Sequence, residues 1–464
     1  MQFTLKRIIA TFICMLVMLC NAQVSRAEIR TYEGVGEYIM SDFETPDIAK
    51  QRAKARAEQS AAEQAGVYVK SYTRTVNNTL VEDEIVAIAN TIIKIDDVHY
   101  TTNPTSEADG TFKIVAKIRA TVDSSRIDEW LKRDQSKNRE LVEQNKQLQA
   151  DKAKLDAELI ELRKKLAQVT NVQEKQYLEK KVVSADSKFL VNQKIKEGWR
   201  LYNDGKYIEA VAMFSQVIGV DKNSLGAYYG RGKSYYAQGN HKQALDDYNK
   251  CITLNPNNVY AYNDRGIVYY VQGNLLQAID DYNKAIALDP NNAEPYYNRA
   301  LASGMQGNYK QAIDDFNKVV AFNLDKLKKA EVYYSRGSAY ALLGNYMQAI
   351  EDYNKAIILN PNYAEAYNNR GNAYDSQGNY SSAIEDYNKA ISLNLNYVDA
   401  YNNRGVTYAK QSNYNKALID FNKVIELNPN YAKAYQNRGY TYKLIGNIQQ
   451  ANADFAKAKK LSGR

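Results

Sequence analysis

The spacing of apolar residues changes three times along this chain, and each spacing predicts a different kind of element. In residues 28–130, two stretches alternate apolar and polar positions, as strands with one buried face do. An alanine-rich stretch between them has the composition and the flanking Pro and Gly of a helix. The predicted elements are strands over 29–40 and 112–122, helices over 46–66 and 84–90, and an extended stretch over 67–76. Residues 28–130 are therefore predicted to form a small α/β domain.

From residue 131 to about 180 the apolar spacing becomes seven residues. Leu141, Leu148, Leu155, Leu162 and Val169 mark one position of the repeat, and the position four residues later holds Asn145, Lys152, Leu159 and Leu166. Such a seam predicts a coiled coil that makes the chain a homo-oligomer through residues 131–180, with the polar asparagine setting the register. The alternative is a single solvated helix that acts as a spacer, since the asparagine and the lysine weaken the seam.

From residue 188 to residue 464 the chain repeats itself with a period of about 34 residues. A small residue marks each unit, at Gly198, Gly232, Gly266, Ala300, Gly337, Gly371, Gly405 and Gly439. One interval is longer, because residues 324–329 carry three extra residues. The stretch from Tyr367 to Ile391, with Asn-Arg-Gly in its first half and Ala-Ile-Glu-Asp-Tyr-Asn-Lys-Ala in its second, closely resembles the tetratricopeptide repeat. The resemblance implies a mostly α solenoid of eight helical hairpins with a concave groove for a protein partner.

An arginine and an aspartate change together inside the repeats. Seven arginines are each followed by an aspartate at one constant spacing, and the pairs are 231/247, 265/281, 299/315, 336/352, 370/386, 404/420 and 438/454. The first repeat has Glu197 and Met213 instead and so lacks both partners. We expect each arginine to pair with the aspartate of its own hairpin. The alternative is an exposed pair that contributes under about 1 kcal/mol.

Candidate partner-binding residues lie on the first helix of each hairpin, which lines the groove in this family. Asn298, Asn369, Asn403 and Asn437 each precede the arginine of their repeat. This row resembles the asparagines that grip peptide backbones in the repeat domain of O-linked N-acetylglucosamine transferase. An amide can donate to a carbonyl and accept from an N–H, which suits an extended peptide of any sequence. The alternative is that asparagine is simply common at this position.

Two further sets complete the predicted groove. Ile267, Leu301, Met305 and Leu342, together with Val271, are predicted to form an apolar cluster in the third to fifth repeats. Glu331 and Glu365, together with Glu294 and Asp399, are predicted to form an acidic row along one edge. The combination favours an extended ligand with apolar anchors and some basic residues. The alternative for the acidic row is a solvated face without a ligand.

The N-terminus predicts export. Lys6 and Arg7 precede a 13-residue apolar run, and Ser25-Arg26-Ala27 closes the segment. A membrane span needs about 20 apolar residues, so residues 1–27 are predicted to be a cleaved signal peptide. Cleavage after Ala22, an uncleaved anchor and lipidation of Cys20 stay open. The predicted location is the periplasm or cell envelope, or outside the cell, with membrane attachment only if the segment is retained.

Composition argues against nucleic acid as a partner. Loss of three basic residues with the signal peptide lowers the formal charge from +8 to +5, which demands no polyanion, and the basic residues form no stripe. The 39 tyrosines recur with the repeat and are predicted to be structural. Cys251 occupies a site where other repeats have alanine, so we interpret it as a core residue.

The sequence offers no catalytic constellation. It contains only two histidines, His99 and His241, and has no nucleotide-binding glycine loop, His-Glu-x-x-His or paired Cys-x-x-Cys. We therefore predict that the chain is not an enzyme and uses no cofactor or metal.

Two functions agree with this organisation. The first is an exported scaffold that binds an extended polypeptide, since a coiled coil followed by these repeats is similar to periplasmic coordinators of outer-membrane constriction and wall synthesis. The second is a structural component or chaperone of a surface or flagellar assembly. Residues 28–130 favour it, because they resemble the N-terminal domain of flagellar assembly protein T and related small outer-membrane lipoproteins.

Overall fold

The computed structural model describes residues 28–40, 44–75, 80–105, 112–132 and 135–463. The predicted signal peptide, residues 1–27, lies outside the described residues. The chain divides into two compact units, the first ending at Gln243 and the second beginning at Ala244. Most of the described chain is helical, as the repeat pattern predicts.

The first unit opens with a three-stranded antiparallel sheet in the order β1-β3-β2. The strands are β1 (Ile29–Met40), β2 (Lys94–Pro104) and β3 (Phe112–Asp123). Helix α1 (Pro46–Thr75) packs on this sheet. Gly34 and Gly36 make that approach possible, because a Cβ on Gly36 would lie 2.1 Å from the Ala53 carbonyl oxygen. The predicted strands 29–40 and 112–122 are confirmed.

The extended stretch predicted over 67–76 is wrong, because α1 continues through Gly66 to Thr75. Tyr68 and Val69 look strand-like by composition, yet both are buried in the core of this domain. Helix α2 (Glu82–Ile92) packs against this last part of α1 and confirms the second predicted helix. Tertiary packing thus outweighed the local β preference. Strand β2 was not predicted. Most of its side chains are exposed, so it lacks the regular alternation of apolar and polar residues that indicated the other two strands.

The heptad segment forms two helices rather than one. After α3 (Ser124–Lys132), helix α4 (Gln135–Gln168) ends before Asn171, whose side chain accepts from the backbone N–H groups of Gln173 and Glu174 and starts α5 (Val172–Asn203). The seam leucines of α4 pack on the facing residues of α5, and the buried cluster is Leu159, Leu162, Leu166, Leu178, Val182 and Ala185. The chain itself therefore covers this part of the seam in an antiparallel hairpin. Oligomerisation through residues 131–180 stays a prediction.

A buried ionic network fastens this hairpin to the sheet domain. The Arg52 guanidinium is 4% exposed and pairs with Asp186 at 2.6 Å, between Nη2 and Oδ1. The Cζ atom of Arg52 lies 4.4 Å from the ring centroid of Phe189. Glu44 accepts from the Tyr38 hydroxyl at 2.6 Å and pairs with Arg163 of α4. Buried charges of this kind persist only when each is paired. The network therefore fixes the packing of helices α1, α4 and α5 against one another.

The helices of the repeats follow in strict alternation. The first unit holds α6 (Tyr207–Val220), which packs on the end of α5, and α7 (Leu225–Ala237), and α8 spans His241–Leu254. The second unit contains six complete hairpins. They are α9 (Val259–Val271) with α10 (Leu275–Leu288), α11 (Ala293–Met305) with α12 (Tyr309–Ala321), α13 (Lys326–Leu342) with α14 (Tyr346–Leu359), α15 (Ala364–Ser376) with α16 (Tyr380–Leu393), α17 (Val398–Lys410) with α18 (Tyr414–Leu427), and α19 (Ala432–Leu444) with α20 (Ile448–Leu461).

Each hairpin closes by fitting an aromatic ring against a small residue. A Cβ on Gly371 would lie 2.7 Å from Cε1 of Tyr387, so the ring occupies the space that a larger side chain would need. Tyr387 is buried, which confirms a structural role for this tyrosine. The turn between the two helices is left-handed, with φ of +80° at Gly378 and +60° at Ser412, where glycine is replaced. Among the helices of the described residues, none has the length and apolar character needed to cross a bilayer.

Candidate functional site

The first helices of the second unit form one continuous face. Successive first helices contact each other directly, from α9 with α11 through to α17 with α19, whereas successive second helices make fewer such contacts. In a stacked array the helices that approach most closely lie on the inner side of the curve. The predicted groove residues all belong to these first helices, so the candidate site is this inner face.

The predicted Arg–Asp pairs hold this face in place. Arg370 donates from Nε and Nη2 to the two carboxylate oxygens of Asp386, at 2.8 and 2.6 Å. The same two-pronged pair forms in six hairpins of the second unit, at 265/281, 299/315, 336/352, 370/386, 404/420 and 438/454. Pairing within the hairpin is confirmed there. Arg231 and Asp247 lie in different units, and their pairing stays a prediction.

Each arginine also reaches the preceding repeat, which the sequence interpretation missed. The Nη1 group of Arg370 donates to Oδ1 of Asn354 at 2.5 Å, and Asn354 belongs to the second helix of the previous hairpin. Equivalent bonds join 265 to 249, 299 to 283, 336 to 317, 404 to 388 and 438 to 422. The signal was present, because an asparagine stands two residues after the aspartate in each of these repeats. One guanidinium thus joins three helices.

The electrostatics of these pairs favour the ionised form of the arginine. The hydrogen bond to Asp281 raises the pKa of Arg265, and burial of the guanidinium opposes that increase only in part. Both side chains are mostly buried, so water screens the pair weakly. The arginines are therefore committed to the structure and are not free to hold a ligand.

The predicted asparagine row is tied together by its own amide groups. Asn403 donates from Nδ2 to Oδ1 of Asn368 at 3.2 Å, and Asn368 donates to Asn369 at 3.2 Å. Asn369 donates in turn to the hydroxyl of Tyr334 at 3.0 Å. At one end of the row Asn437 donates to Asn402, and Asn402 donates to Asn403. In the earlier repeats Asn298 donates to Asn263 in the way that Asn437 donates to Asn402. Each predicted amide is half-buried and bonded to the preceding first helix.

These bonds change the role expected of the asparagines. The predicted role used both the donor and the acceptor of each amide, but one donor hydrogen of each is held by the neighbouring repeat. An amide oxygen has two lone pairs, so an oxygen that accepts one bond within the row can accept a second. Each asparagine of the inner face therefore keeps one N–H donor and at least one oxygen lone pair for a ligand.

The predicted apolar cluster separates into two parts. Ile267 and Leu301 are half-buried and pack against the cores of their own hairpins. Met305 and Leu342 are 63% and 64% exposed, and Val271 is also exposed. These three residues each end their first helix, so they form an exposed apolar edge at the C-terminal ends of α9, α11 and α13. Among the predicted apolar residues, these three expose the most surface to a partner.

The acidic row lies at the opposite ends of the first helices. Glu365 and Asp399 are exposed in the first turns of α15 and α17, where the partial positive charge of a helix N-terminus stabilises a carboxylate. Glu331 accepts from the hydroxyl of Tyr297 at 2.6 Å and pairs with Lys328 at 3.2 Å. The face is thus bounded by an acidic edge and an apolar edge, with the amide row between them.

The described residues contain no group of three or more histidine, cysteine, aspartate or glutamate side chains placed to hold a metal ion. Cys251 is buried in α8, and burial raises the pKa of its thiol. The thiol is therefore a core side chain, as the alanines at the same position of other repeats predicted.

Comparison with known protein families identifies the repeats. A family described as TPR repeat matches residues 268–307, 337–378 and 371–412, and families described as tetratricopeptide repeat match 226–258, 247–280, 293–326, 398–431 and 421–451. Among curated proteins, none matches the chain.

Solved structures of other proteins resemble parts of the chain. YrrB, described as a TPR protein with an unusual peptide-binding site, is 26% identical, with 41% of this chain and 97% of YrrB covered and a TM-score of 0.35. MamA is 34% identical, with 38% and 94% covered and a TM-score of 0.34. A tetratricopeptide repeat protein from Parabacteroides merdae is 21% identical, with 54% and 98% covered and a TM-score of 0.43. On its repeats, its hairpins and these family matches, the chain belongs to the tetratricopeptide repeat proteins.

Proposed function

We propose that this protein is a non-catalytic scaffold that binds an extended segment of a protein partner along the inner face of its second unit. The observation that carries the proposal is the amide row, in which Asn298, Asn369, Asn403 and Asn437 are fixed to the preceding helices and keep oxygen lone pairs for a ligand. A peptide backbone offers N–H donors at regular intervals, so it complements such a row whatever its side chains are.

The two edges of the face can contact side chains of the partner, which the amide row does not distinguish. Met305 and Leu342 expose apolar side chains that an apolar anchor residue of the partner would cover, and each fully covered side chain of that size contributes about 1.5–3 kcal/mol. Glu331 and Glu365 place negative charge at the other edge. A peptide that crosses from one edge to the other would meet all three kinds of contact.

Site-directed photo-crosslinking tests this proposal. A benzophenone amino acid at position 369 reports on the inner face, and the same group at position 351, on the exposed side of second helix α14, is the matched control. We expect adducts with a discrete partner from position 369 and none from position 351. Equal adducts from the two positions, or adducts from position 351 alone, would show that the partner binds elsewhere.

We also infer that the protein works outside the cytoplasm, in the bacterial cell envelope or beyond it. The basic and apolar residues of 1–27 and the Ser-Arg-Ala that ends them support export. N-terminal sequencing of the protein purified from the envelope fraction should begin at Glu28. A cytoplasmic protein that begins at Met1 would contradict the inference.

A further inference from the structure

Tyrosines and carboxylates alternate along the acidic edge in the later repeats. We call the set formed by Tyr334, Tyr363, Tyr397, Tyr431, Glu331, Glu365 and Asp399 the tyrosine–carboxylate edge. Three of its tyrosines immediately precede a first helix, where two earlier repeats have asparagine. Each of these three follows a carboxylate of the previous repeat at one constant spacing, in the pairs 331/363, 365/397 and 399/431. The edge is therefore built in steps of one repeat, each with an aromatic ring and an acid.

One tyrosine–carboxylate pair and one pair of rings of this edge are in contact. The hydroxyl of Tyr431 donates to Oδ1 of Asp399 at 3.0 Å, and the ring centroids of Tyr334 and Tyr363 lie 4.9 Å apart. Burial, with the nearby charge of Glu365, raises the pKa of Tyr397, and burial with the bond to Asp399 raises the pKa of Tyr431 to about 12. The phenols therefore stay neutral at physiological pH, while the carboxylates supply negative charge along the edge.

The first carboxylate of the edge, Glu331, already holds a basic side chain, and the ring that this side chain contacts, Tyr297, belongs to the preceding repeat. Lys328 places Nζ 4.1 Å from the ring centroid of Tyr297 and 3.2 Å from Oε2 of Glu331, which also accepts from the Tyr297 hydroxyl. An ammonium group over a ring and beside a carboxylate is a favourable arrangement for a cation. Lys328 lies in residues 324–329, the segment that is three residues longer than in the other repeats. The other repeats therefore have no equivalent lysine.

The next two steps have no cation of their own. Within the ranges that the structure describes, neither Glu365 nor Asp399 forms an ion pair with a basic residue, and both are exposed. The chain thus pairs the first carboxylate of the edge with its own lysine and leaves the carboxylates of the following two steps open to a ligand.

We propose that these two steps bind lysine or arginine side chains of a basic, extended segment of the partner, which rests on the proposed function and specifies the partner's chemistry. Adjacent first helices pack roughly 9 Å apart, and an extended chain advances about 3.3 Å per residue. In the polyproline II form of an extended chain, which has three residues per turn and advances about 3.1 Å per residue, basic residues three positions apart lie on one face and match successive steps. Lys328 occupies the place that a third basic residue would take.

Fluorescence anisotropy with the full chain tests the proposal. The probe is a labelled Gly/Ser peptide with three arginines at every third position, and the comparison peptide has glutamate in their place. The variant Glu365→Gln with Asp399→Asn should weaken binding of the arginine peptide at least 10-fold. Its control, Glu351→Gln with Glu385→Gln, removes the same charge from exposed positions of second helices α14 and α16 and should change binding less than 2-fold.

A second pair of variants tests the role of the built-in lysine. Lys328→Met should open the first step and tighten binding of the arginine peptide at least 3-fold. Lys389→Met removes the same charge from an exposed position of α16 and should leave binding unchanged. A gain of equal size in both variants would show a general charge effect and overturn the proposal.

The remaining outcomes separate this inference from the proposed function. Equal weakening by the two acidic double variants, or equal binding of the arginine and glutamate peptides, would overturn the basic-segment proposal. So would absence of arginine-peptide binding while crosslinking from position 369 persists, and the scaffold function would then stand. Loss of that crosslinking as well would overturn both. Circular dichroism of each variant confirms that the fold is kept.

Discussion

Removing either member of an Arg–Asp pair alone should cost about as much as removing both together, and Arg370 with Asp386 provides the test. In Asp386→Leu the guanidinium of Arg370 keeps a single neutral acceptor, Asn354, in a site where its side chain is 18% exposed. In Arg370→Met the carboxylate of Asp386 is left 8% exposed without its two strong donors. Each change leaves a buried charge without its partner, which is the costly situation in proteins.

The magnitude follows from that burial. Stranding either charge is expected to lower the free energy of unfolding by about 3 kcal/mol, because water can reach neither group well. The double variant removes both charges and replaces them with apolar side chains, so it should also cost about 3 kcal/mol and not the additive value of about 6. The expected coupling free energy is therefore about 3 kcal/mol.

Urea unfolding followed by circular dichroism measures the cycle, and hydrogen exchange of α15 and α16 locates the loss, because neighbouring repeats can unfold separately. Lys423 and Glu426 form an exposed pair on α18 and serve as the control cycle, with no measurable coupling expected. A coupling at Arg370 and Asp386 as small as that of the control would refute the argument that burial makes these pairs cooperative.

Three further predictions follow from single sites. Ser412→Gly should raise the stability of its repeat by about 1 kcal/mol, because serine bears the cost of the left-handed backbone there; an unchanged unfolding midpoint in urea would contradict this. Burial raises the pKa of Cys251, so the rate of its alkylation in the folded protein should not increase between pH 7 and 9.5. In 8 M urea the rate should increase through about pH 8.5, and mass spectrometry of the peptide that contains Cys251 measures both rates. The same increase in the folded state would be inconsistent with a core position. Asp186→Asn should destabilise the first unit by about 2 kcal/mol, because it removes the shortest ion pair of Arg52 and leaves Glu44 and Asp156, each at 3.4 Å. The exposed Glu161→Gln is the control, and equal thermal midpoints for the two variants would show that the network is not needed.

Local patterns predicted much of the second unit because its contacts are close in sequence and repeat. The small residue of each first helix and the aromatic residue of its second helix stand at the same separation as Gly371 and Tyr387, and every hairpin of the second unit reuses that separation. The Arg–Asp pairs were predicted for the same reason. The asparagine that Arg370 bonds in the preceding repeat was missed, since a covariation within one repeat does not show which neighbour an arginine faces.

The period of the sequence by itself determined that residues 188–464 form tandem helical hairpins, because each hairpin must bury its apolar stripe against the next one. Only the tertiary structure decided which groups remain for a partner. In the structure, one N–H donor of each predicted asparagine is bonded to the preceding repeat. Ile267 and Leu301 are half-buried, and Met305 and Leu342 are exposed. The tertiary structure also folded the heptad segment back on itself, because the seam leucines found partners on α5. Residual hydrogen-bonding capacity and exposure depend on neighbours distant in sequence, and no local pattern records them.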